Sequence, residues 1–236
     1  MKKLVKKLTA AALGLSLSML FLSAAKEACV DYQIKTADPV GRSLTQGEIS
    51  MARGIFGDAT DYRRIRLHNA PAEGDDAKSF GNDIYLENSE LHRADLSAPD
   101  VSADDKKILI HELTHVWRFQ TSTPLQRSLA SLRTLPAHMI NNLFGSHLGY
   151  GYNLNSKDKF MDEGEEAKAT MVQEYFKATQ KFDIDGCDKP GLAETPVCQD
   201  VRAGVLQFEE KLKPALPLPG SRVLKPVPTL APPQNP

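Results

Sequence analysis

The pentapeptide His111-Glu112-Leu113-Thr114-His115 is the part of this sequence whose residue types and spacing most directly suggest chemistry. On an α-helix, residues four apart lie one above the other on the same face. Two histidines so placed can bind one zinc ion, and the glutamate between them can reach a water bound to that ion. Zinc lowers the pKa of such a water to about 7, and Glu112 is placed to accept its proton as a general base. The alternative is a salt-linked polar cluster that holds no metal.

A catalytic zinc usually has three protein ligands, so a third residue is needed. The residues after His115 read VWRFQTSTPLQ and contain neither a histidine nor an acid, which moves the third ligand further along the chain. Glu163, Glu165 and Glu166 are the candidates, because they lie at the start of a later predicted helix. A helical wheel puts Glu165 nearest the apolar face of that helix and Glu166 at its margin. An acidic helix start can also simply complement the helix dipole.

The helix that carries the two histidines has a recognisable beginning. Ser102 can cap it, and Asp104 and Asp105 favour the positive end of the helix dipole. Apolar residues occur on most sides of the segment, which predicts a buried helix. Buried histidines and a buried glutamate need partners, because the burial of unpaired polar groups is costly.

Two short strands and further helices are expected around this helix. Residues 64–67 alternate charged and apolar side chains, and residues 83–86 form a second strand candidate after a polar loop at 71–82. Thr45 and Glu48 have capping-box spacing and predict a short helix. The predicted fold class is α+β and mostly helical, with a small sheet beside the histidine helix.

Later helices are predicted from Pro124 onward with an interruption at Pro136, from residue 165 through residue 176, and over residues 201–213. A proline-rich stretch follows. We expect residues 26–213 to form one domain and residues 214–236 to be an unstructured tail.

Composition and the start of the chain indicate export. The 236 residues carry a formal net charge of −1, which gives no indication of a nucleic-acid partner. Lysines precede an apolar run and a Ser23-Ala24-Ala25 site, the pattern of a secretory signal over residues 1–25. An uncleaved membrane anchor is the alternative, and no later segment is apolar enough to cross a bilayer.

The three cysteines are consistent with an exported protein. Cys187 and Cys198 flank a loop that contains glycine and proline, so we expect them to form a disulfide. Cys29 is then the odd cysteine, and the sequence leaves open its pairing with either of the others.

Three segments, HELTHVWRFQ, YGYNL and FMDEGEEAKATMVQEYF, resemble a family of bacterial zincin-like metallopeptidases often described as Rhs-element Vgr-related proteins. The resemblance covers roughly residues 44–178 and implies a gluzincin arrangement, in which a glutamate from a later helix completes the zinc site. Matching Phe160 and Met171 to the family pattern places that glutamate on Glu166. The sequence departs from the pattern at Arg118, Ala167 and Lys168, where the family has glutamine, and at Glu163, where it has tyrosine. These departures concern the surroundings of the site and its substrate preference, and not the ligand set.

Two loop tyrosines are further candidates. Gluzincin-like sites often use a tyrosine or histidine to stabilise a developing oxyanion, and Tyr150 and Tyr152 are placed in the YGYNL segment to do so. The alternative is that both are packed loop tyrosines.

The sequence therefore predicts a secreted or periplasmic zinc-dependent hydrolase, most simply a peptidase, with His111, His115 and Glu166 as Zn²⁺ ligands and Glu112 as base. Its substrate would be a peptide, a protein or a cell-wall amide. The alternative function is a non-catalytic binding protein on a zincin scaffold, acting in the envelope or in a secretion system. The sequence does not predict an oligomeric state.

Overall fold

The computed structural model describes residues 40–69, 77–86, 94–126 and 151–219. Within those ranges the chain has an α+β fold that is mostly helical and contains one small sheet, as predicted. The helices are α1 (Gln46–Phe56), α2 (Ala103–Thr121), α3 (Glu165–Ile184) and α4 (Pro196–Leu212). The strands are β1 (Arg66–Asn69), β2 (Lys78–Phe80) and β3 (Asp83–Leu86), and short 3-10 turns occupy Tyr62–Arg64 and Phe160–Asp162.

The sheet has the strand order β1-β3-β2. Strand β1 is parallel to β3, whereas β2 is antiparallel to β3 and forms an edge. The strand predicted at 83–86 is confirmed, and the one predicted at 64–67 begins later because a 3-10 turn occupies its first residue. Strand β2 lies in the segment expected to be a loop. Gly81 and Asn82 form its two-residue turn to β3, with a φ of +66° at Gly81 that glycine adopts readily.

The turn between β2 and β3 is held against helix α2. The Gln120 side chain donates a hydrogen bond of 2.8 Å from Nε2 to Oδ1 of Asn82. The Phe119 ring lies so close to Gly81 that a Cβ atom there would be 3.5 Å from it. These contacts fix the edge strand beside α2, the helix that carries the two histidines.

Helix α2 begins as predicted and contributes a large apolar surface to the core. The Ser102 side chain accepts a hydrogen bond of 3.0 Å from the Asp105 backbone N–H. Five apolar side chains of this helix are buried in the main core: Leu109, Ile110, Leu113, Val116 and Trp117. Helix α3 packs along α2 and also contacts α4. The histidines are therefore on a helix that is fixed by packing on several sides.

Helix α1 shows the predicted capping box. Thr45 accepts from the Glu48 backbone N–H, and the Glu48 carboxylate accepts from the Thr45 backbone N–H. The helix ends at Phe56, followed by Gly57 with a φ of +55°.

The predicted disulfide is present between Cys187 and Cys198. It joins the end of α3 to the start of α4 within a small apolar cluster that includes Phe182. Helix α4 begins earlier than predicted, at Pro196, because Thr195 caps it.

The predicted domain boundary after residue 213 requires a correction. Leu216 and Leu218 are buried in the main core, with 2% and 3% of their surface exposed. The Leu218 N–H donates to the Ile55 carbonyl oxygen, which ties this segment to the end of α1. The prolines of the segment exclude a helix, but they do not prevent the leucines between them from packing. The folded part therefore extends to residue 219 in the structure.

Several predictions concern residues outside the described ranges. These are the signal over residues 1–25, the pairing of Cys29, the role of Tyr150, most of the helix predicted from Pro124, and the tail beyond residue 219. Where the chain is described, no helix combines the length and apolar character needed to cross a membrane.

Candidate metal centre

His111 and His115 lie on the face of α2 that meets α3. Their ring centroids are 5.1 Å apart, as expected for residues one helical turn apart. Both side chains are partly buried, with 13% and 19% of their surface exposed. In both rings the Nε2 atom faces the first turn of α3, so the two nitrogens converge on one point.

Glu166 occupies that point. Its Oε2 atom is 3.3 Å from Nε2 of His111 and 3.5 Å from Nε2 of His115. One potential ligand atom from each of the three residues lies within 4.8 Å of the other two, and among the described residues this is the group of three that could hold a metal ion. Glu166 is in the first turn of α3, where Gly164 precedes the helix.

The other two candidate glutamates are engaged elsewhere. Glu165 accepts from Nζ of Lys168 at 2.9 Å and from Nε of Arg118 at 3.3 Å. Glu163 lies 3.5 Å from Nζ of Lys211. The helical wheel placed Glu165 nearest the apolar face of α3 and Glu166 at its margin. In the structure it is Glu166 that contacts the histidines. The structure therefore brings together the residues that the family resemblance selects.

Gln173 is a fourth polar residue at this centre, and it was not predicted. The Nδ1 atom of His111 lies 2.9 Å from Oε1 of Gln173, so the ring N–H donates to the amide oxygen. A hydrogen bond at Nδ1 fixes the tautomer that leaves Nε2 free to bind a metal. Gln173 follows Glu166 by seven residues, which places both on one stripe of α3. That spacing is the sequence signal that could have identified it.

Glu112 is buried beside the histidines, with 4% of its surface exposed. Burial raises the pKa of its carboxyl group, while the charges of His115 and His111 and a hydrogen bond from Ser79 on β2 act in the opposite direction. Its Oε2 atom is buried and has no hydrogen-bond partner among the residues that the structure describes. A buried carboxylate oxygen without a partner is costly unless something binds it, such as a water or a substrate group.

The electrostatics of the cluster follow from its close contacts. Burial raises the pKa of Glu166, but its close contacts with His111 and His115 outweigh burial, so the net pKa is well below the usual range. Burial lowers the pKa of His115, but the hydrogen bond to Glu166 and the charges of Glu112 and Glu166 raise it overall. The cluster is thus a site in which a carboxylate stays ionised and attracts positive charge.

Tyr152 packs against an aromatic side chain of α4. Its ring centroid is 6.2 Å from that of Phe208 on α4, and it packs at the margin of the main core. Burial and the nearby charge of Glu174 raise its pKa. These contacts fit a packed loop tyrosine, and its role as an oxyanion stabiliser stays a prediction.

The residues present fit a zinc ion. Two imidazole nitrogens and one carboxylate form one of the ligand sets of catalytic zinc sites. The hydrogen bond at Nδ1 of His111 and the unpartnered oxygen of Glu112 are compatible with such a site.

The chain is similar to one secretion-system protein and to a solved domain of that protein. No family model matches the sequence. The chain is 31% identical over 146 residues to the type VI secretion system spike protein VgrG2b of Pseudomonas aeruginosa, a match that covers 60% of this chain and 13% of the spike protein. The structure also resembles the solved effector domain of VgrG2b, with 27% sequence identity and a TM-score of 0.52. That match covers 83% of this chain and 97% of the effector domain.

The chain is therefore homologous to the effector domain of VgrG2b. This relationship agrees with the Vgr-related part of the resemblance seen in the sequence. The chain spans only a small part of the full spike protein, so the homology concerns one domain and not the spike as a whole.

Proposed function

We propose that this protein is a zinc-dependent hydrolase, most simply a peptidase, that acts as a secreted or periplasmic effector. The observation that carries the proposal is the convergence of His111, His115 and Glu166 beside the buried Glu112. The homology to a secretion-system effector domain supports the effector role. The proposed substrate is a peptide or protein, and a cell-wall amide contains the same type of scissile bond.

The proposed roles follow from the positions of the side chains. His111, His115 and Glu166 would hold Zn²⁺, which when bound polarises a carbonyl group and lowers the pKa of a bound water. Glu112 would accept a proton at Oε2 from the attacking water and later transfer it to the leaving amine. Gln173 would keep His111 in the tautomer that binds metal. Burial of Glu112 suits this role, because a raised pKa brings a carboxylate closer to the pH at which it can exchange a proton.

Metal content tests the ligand set. Purified wild-type protein is expected to contain about one zinc per chain by elemental analysis, and Glu166→Ala is expected to lose it. Glu163→Ala is the matched control, because Glu163 lies three residues away and contacts Lys211 instead of the histidines. Absence of zinc from the wild type after zinc loading, or equal zinc in all three proteins, would contradict the proposed site.

Activity tests the role of Glu112. Glu112→Gln has nearly the same shape but cannot act as a base, so it should retain zinc and lose hydrolysis of casein or a general peptide substrate. Full activity of this variant would refute the proposed mechanism. If the wild type is active and Glu112→Gln is not, a fluorogenic peptide library would define the substrate class of the wild type.

A second candidate function is a non-catalytic binding protein of the envelope or of a secretion system. Its specific support is the homology to the VgrG2b effector domain, which relates the chain to a spike protein by sequence and fold. Zinc that is present at full occupancy, without hydrolysis of peptide, protein or cell-wall amide substrates, would favour this candidate. Hydrolysis by the wild type that is lost in Glu112→Gln would favour the hydrolase.

A further inference from the structure

The contact between α2 and α3 contains a ladder of polar pairs. His111, His115 and Arg118 follow one another at spacings of four and three residues, which places them on one stripe of α2. On α3 their partners are Gln173 for His111, Glu166 for both histidines, and Glu165 for Arg118. The pair of Arg118 and Glu165 therefore lies at the end of the same stripe that holds the proposed zinc ligands.

Glu165 is held by two cations, one from each helix. Arg118 of α2 donates from Nε at 3.3 Å, and Lys168 of α3 donates from Nζ at 2.9 Å. The side chains of Lys168 and Arg118 are only 4% and 15% exposed. A charge-assisted contact this well shielded from water is stronger and better ordered than an exposed ion pair.

The position of this ion-pair cluster matters because Glu165 directly precedes Glu166. Glu165 is fixed to α2 through Arg118, so the first turn of α3 is held at a set distance from α2. Glu166 lies in that same turn and must reach both histidines. Gly164, the residue before the helix, has no side chain with which to add a second polar contact to α2.

We propose that the cluster of Arg118, Glu165 and Lys168 positions Glu166 for metal binding, a proposal that rests on the zinc site of the proposed function. Arg118 is a positioning residue that acts through Glu165. Its contribution is to the geometry and affinity of the metal site, beyond any contribution to the stability of the fold.

The chain offers a matched control for this proposal. Lys177 of α3 lies 3.2 Å from Asp104 of α2, so this pair also links the two helices. It lies near the start of α2, at the opposite end of the helix contact, and its side chains are 45% and 65% exposed. Lys177→Gln therefore removes an ion pair between the same two helices without disturbing the turn that carries Glu166.

The experiment measures Zn²⁺ affinity by competition with a chromogenic chelator in wild type, Arg118→Gln and Lys177→Gln. Glutamine is the residue that the family pattern carries at position 118, so the fold should tolerate it. We expect Arg118→Gln to lose about tenfold in affinity, the lower end of the range for residues that orient metal ligands. Lys177→Gln should stay within about twofold of wild type, as for exposed pairs.

Two further measurements separate positioning from stability. The visible absorption of Co²⁺-substituted protein reports the geometry around the metal, and it should change in Arg118→Gln but not in Lys177→Gln. Arg118→Lys keeps the charge and should recover much of the affinity. In the double variant Arg118→Gln/Glu165→Gln the two losses should not add, because both changes remove the same contact.

The outcomes distinguish this proposal from the proposed function. If wild-type protein binds no Zn²⁺, the metal site itself is wrong. If wild type binds Zn²⁺ and Arg118→Gln matches Lys177→Gln in affinity and in the Co²⁺ spectrum, the site stands and the positioning role is overturned. The same holds if Arg118→Gln lowers only the melting temperature.

Discussion

Replacement of Gln173 by alanine should weaken metal binding without removing a metal ligand. The Gln173 amide oxygen accepts the hydrogen bond from Nδ1 of His111 at 2.9 Å, in a partly buried position. Without it, His111 can adopt the other tautomer, in which Nε2 carries the proton and cannot bind a metal. The ring is also freer to rotate away from Glu166.

The size of the effect can be worked from this contact. A neutral hydrogen bond contributes about 1 kcal/mol net, and one to a charged group contributes about 1.5–3 kcal/mol. Metal binding polarises the imidazole, so the value for the bound state belongs toward the upper range. Since 1.4 kcal/mol corresponds to a tenfold change in affinity, we expect Gln173→Ala to lose about ten- to a hundredfold in Zn²⁺ affinity.

Chelator competition at fixed pH measures this loss, with Gln180→Ala as the control. Gln180 lies two turns further along α3 and is also partly buried, so the control changes the same residue type on the same helix. Gln173→Glu should retain affinity, because a carboxylate accepts the same hydrogen bond and raises the basicity of the ring. Equal affinities for Gln173→Ala, Gln180→Ala and wild type would refute the assigned role of Gln173.

Three predictions concern stability. Leu216→Ala and Leu218→Ala should each lower the free energy of unfolding in urea by about 2–5 kcal/mol, because both side chains are buried. A loss as small as that expected for an exposed leucine would instead support a domain boundary at residue 213. Removal of the disulfide by the double change of Cys187 and Cys198 to alanine should cost about 2–3 kcal/mol, and unchanged stability would contradict its structural role. Burial raises the pKa of Tyr62 to about 12. The free energy of unfolding should therefore fall by at most roughly 3 kcal/mol as the pH rises from 10 toward 12, because the unfolded chain loses this proton first. Tyr62→Phe should show a smaller fall over the same pH range.

Local signals in the sequence account for much of the fold. The capping box of Thr45 and Glu48 and the cap at Ser102 fix where two helices begin, and both are visible within four residues of sequence. Strand β2 escaped prediction because it has only three residues, two of which are polar. Its signal is the turn: the pair Gly81-Asn82 is typical of a two-residue hairpin connection, and it should be weighted above the polarity of the flanking residues.

The leucines after residue 213 show the limit of composition as a guide. Frequent prolines indicate that a segment forms neither helix nor central strand, but they say little about whether its other side chains are buried. Pro217 packs against Gly57, where a Cβ atom would lie 2.9 Å from the proline ring. A contact between residues so far apart in the chain leaves no local pattern that a sequence can reveal.

The choice among the three glutamates depends on such distant contacts. The periodicity of α3 describes which side chains face its core, and by that measure Glu165 is the better placed. The decisive facts are the positions of Arg118 and Lys211, because each cation engages one of the other two glutamates and leaves Glu166 to the histidines. Charge pairing between elements, and not the apolar stripe of α3, therefore determines which of the three glutamates contacts the histidines.

The buried polar pairs between α2 and α3 are costly for a fold of this size. Each charged or polar group there loses hydration, and a buried ion pair often contributes no more stability than apolar residues of similar volume would. An apolar contact would hold two helices together equally well. In the zinc site that we propose, the ladder from Gln173 to Arg118 keeps two imidazole nitrogens and one carboxylate oxygen converging on one point. This is the arrangement that metal binding requires and that packing alone does not supply.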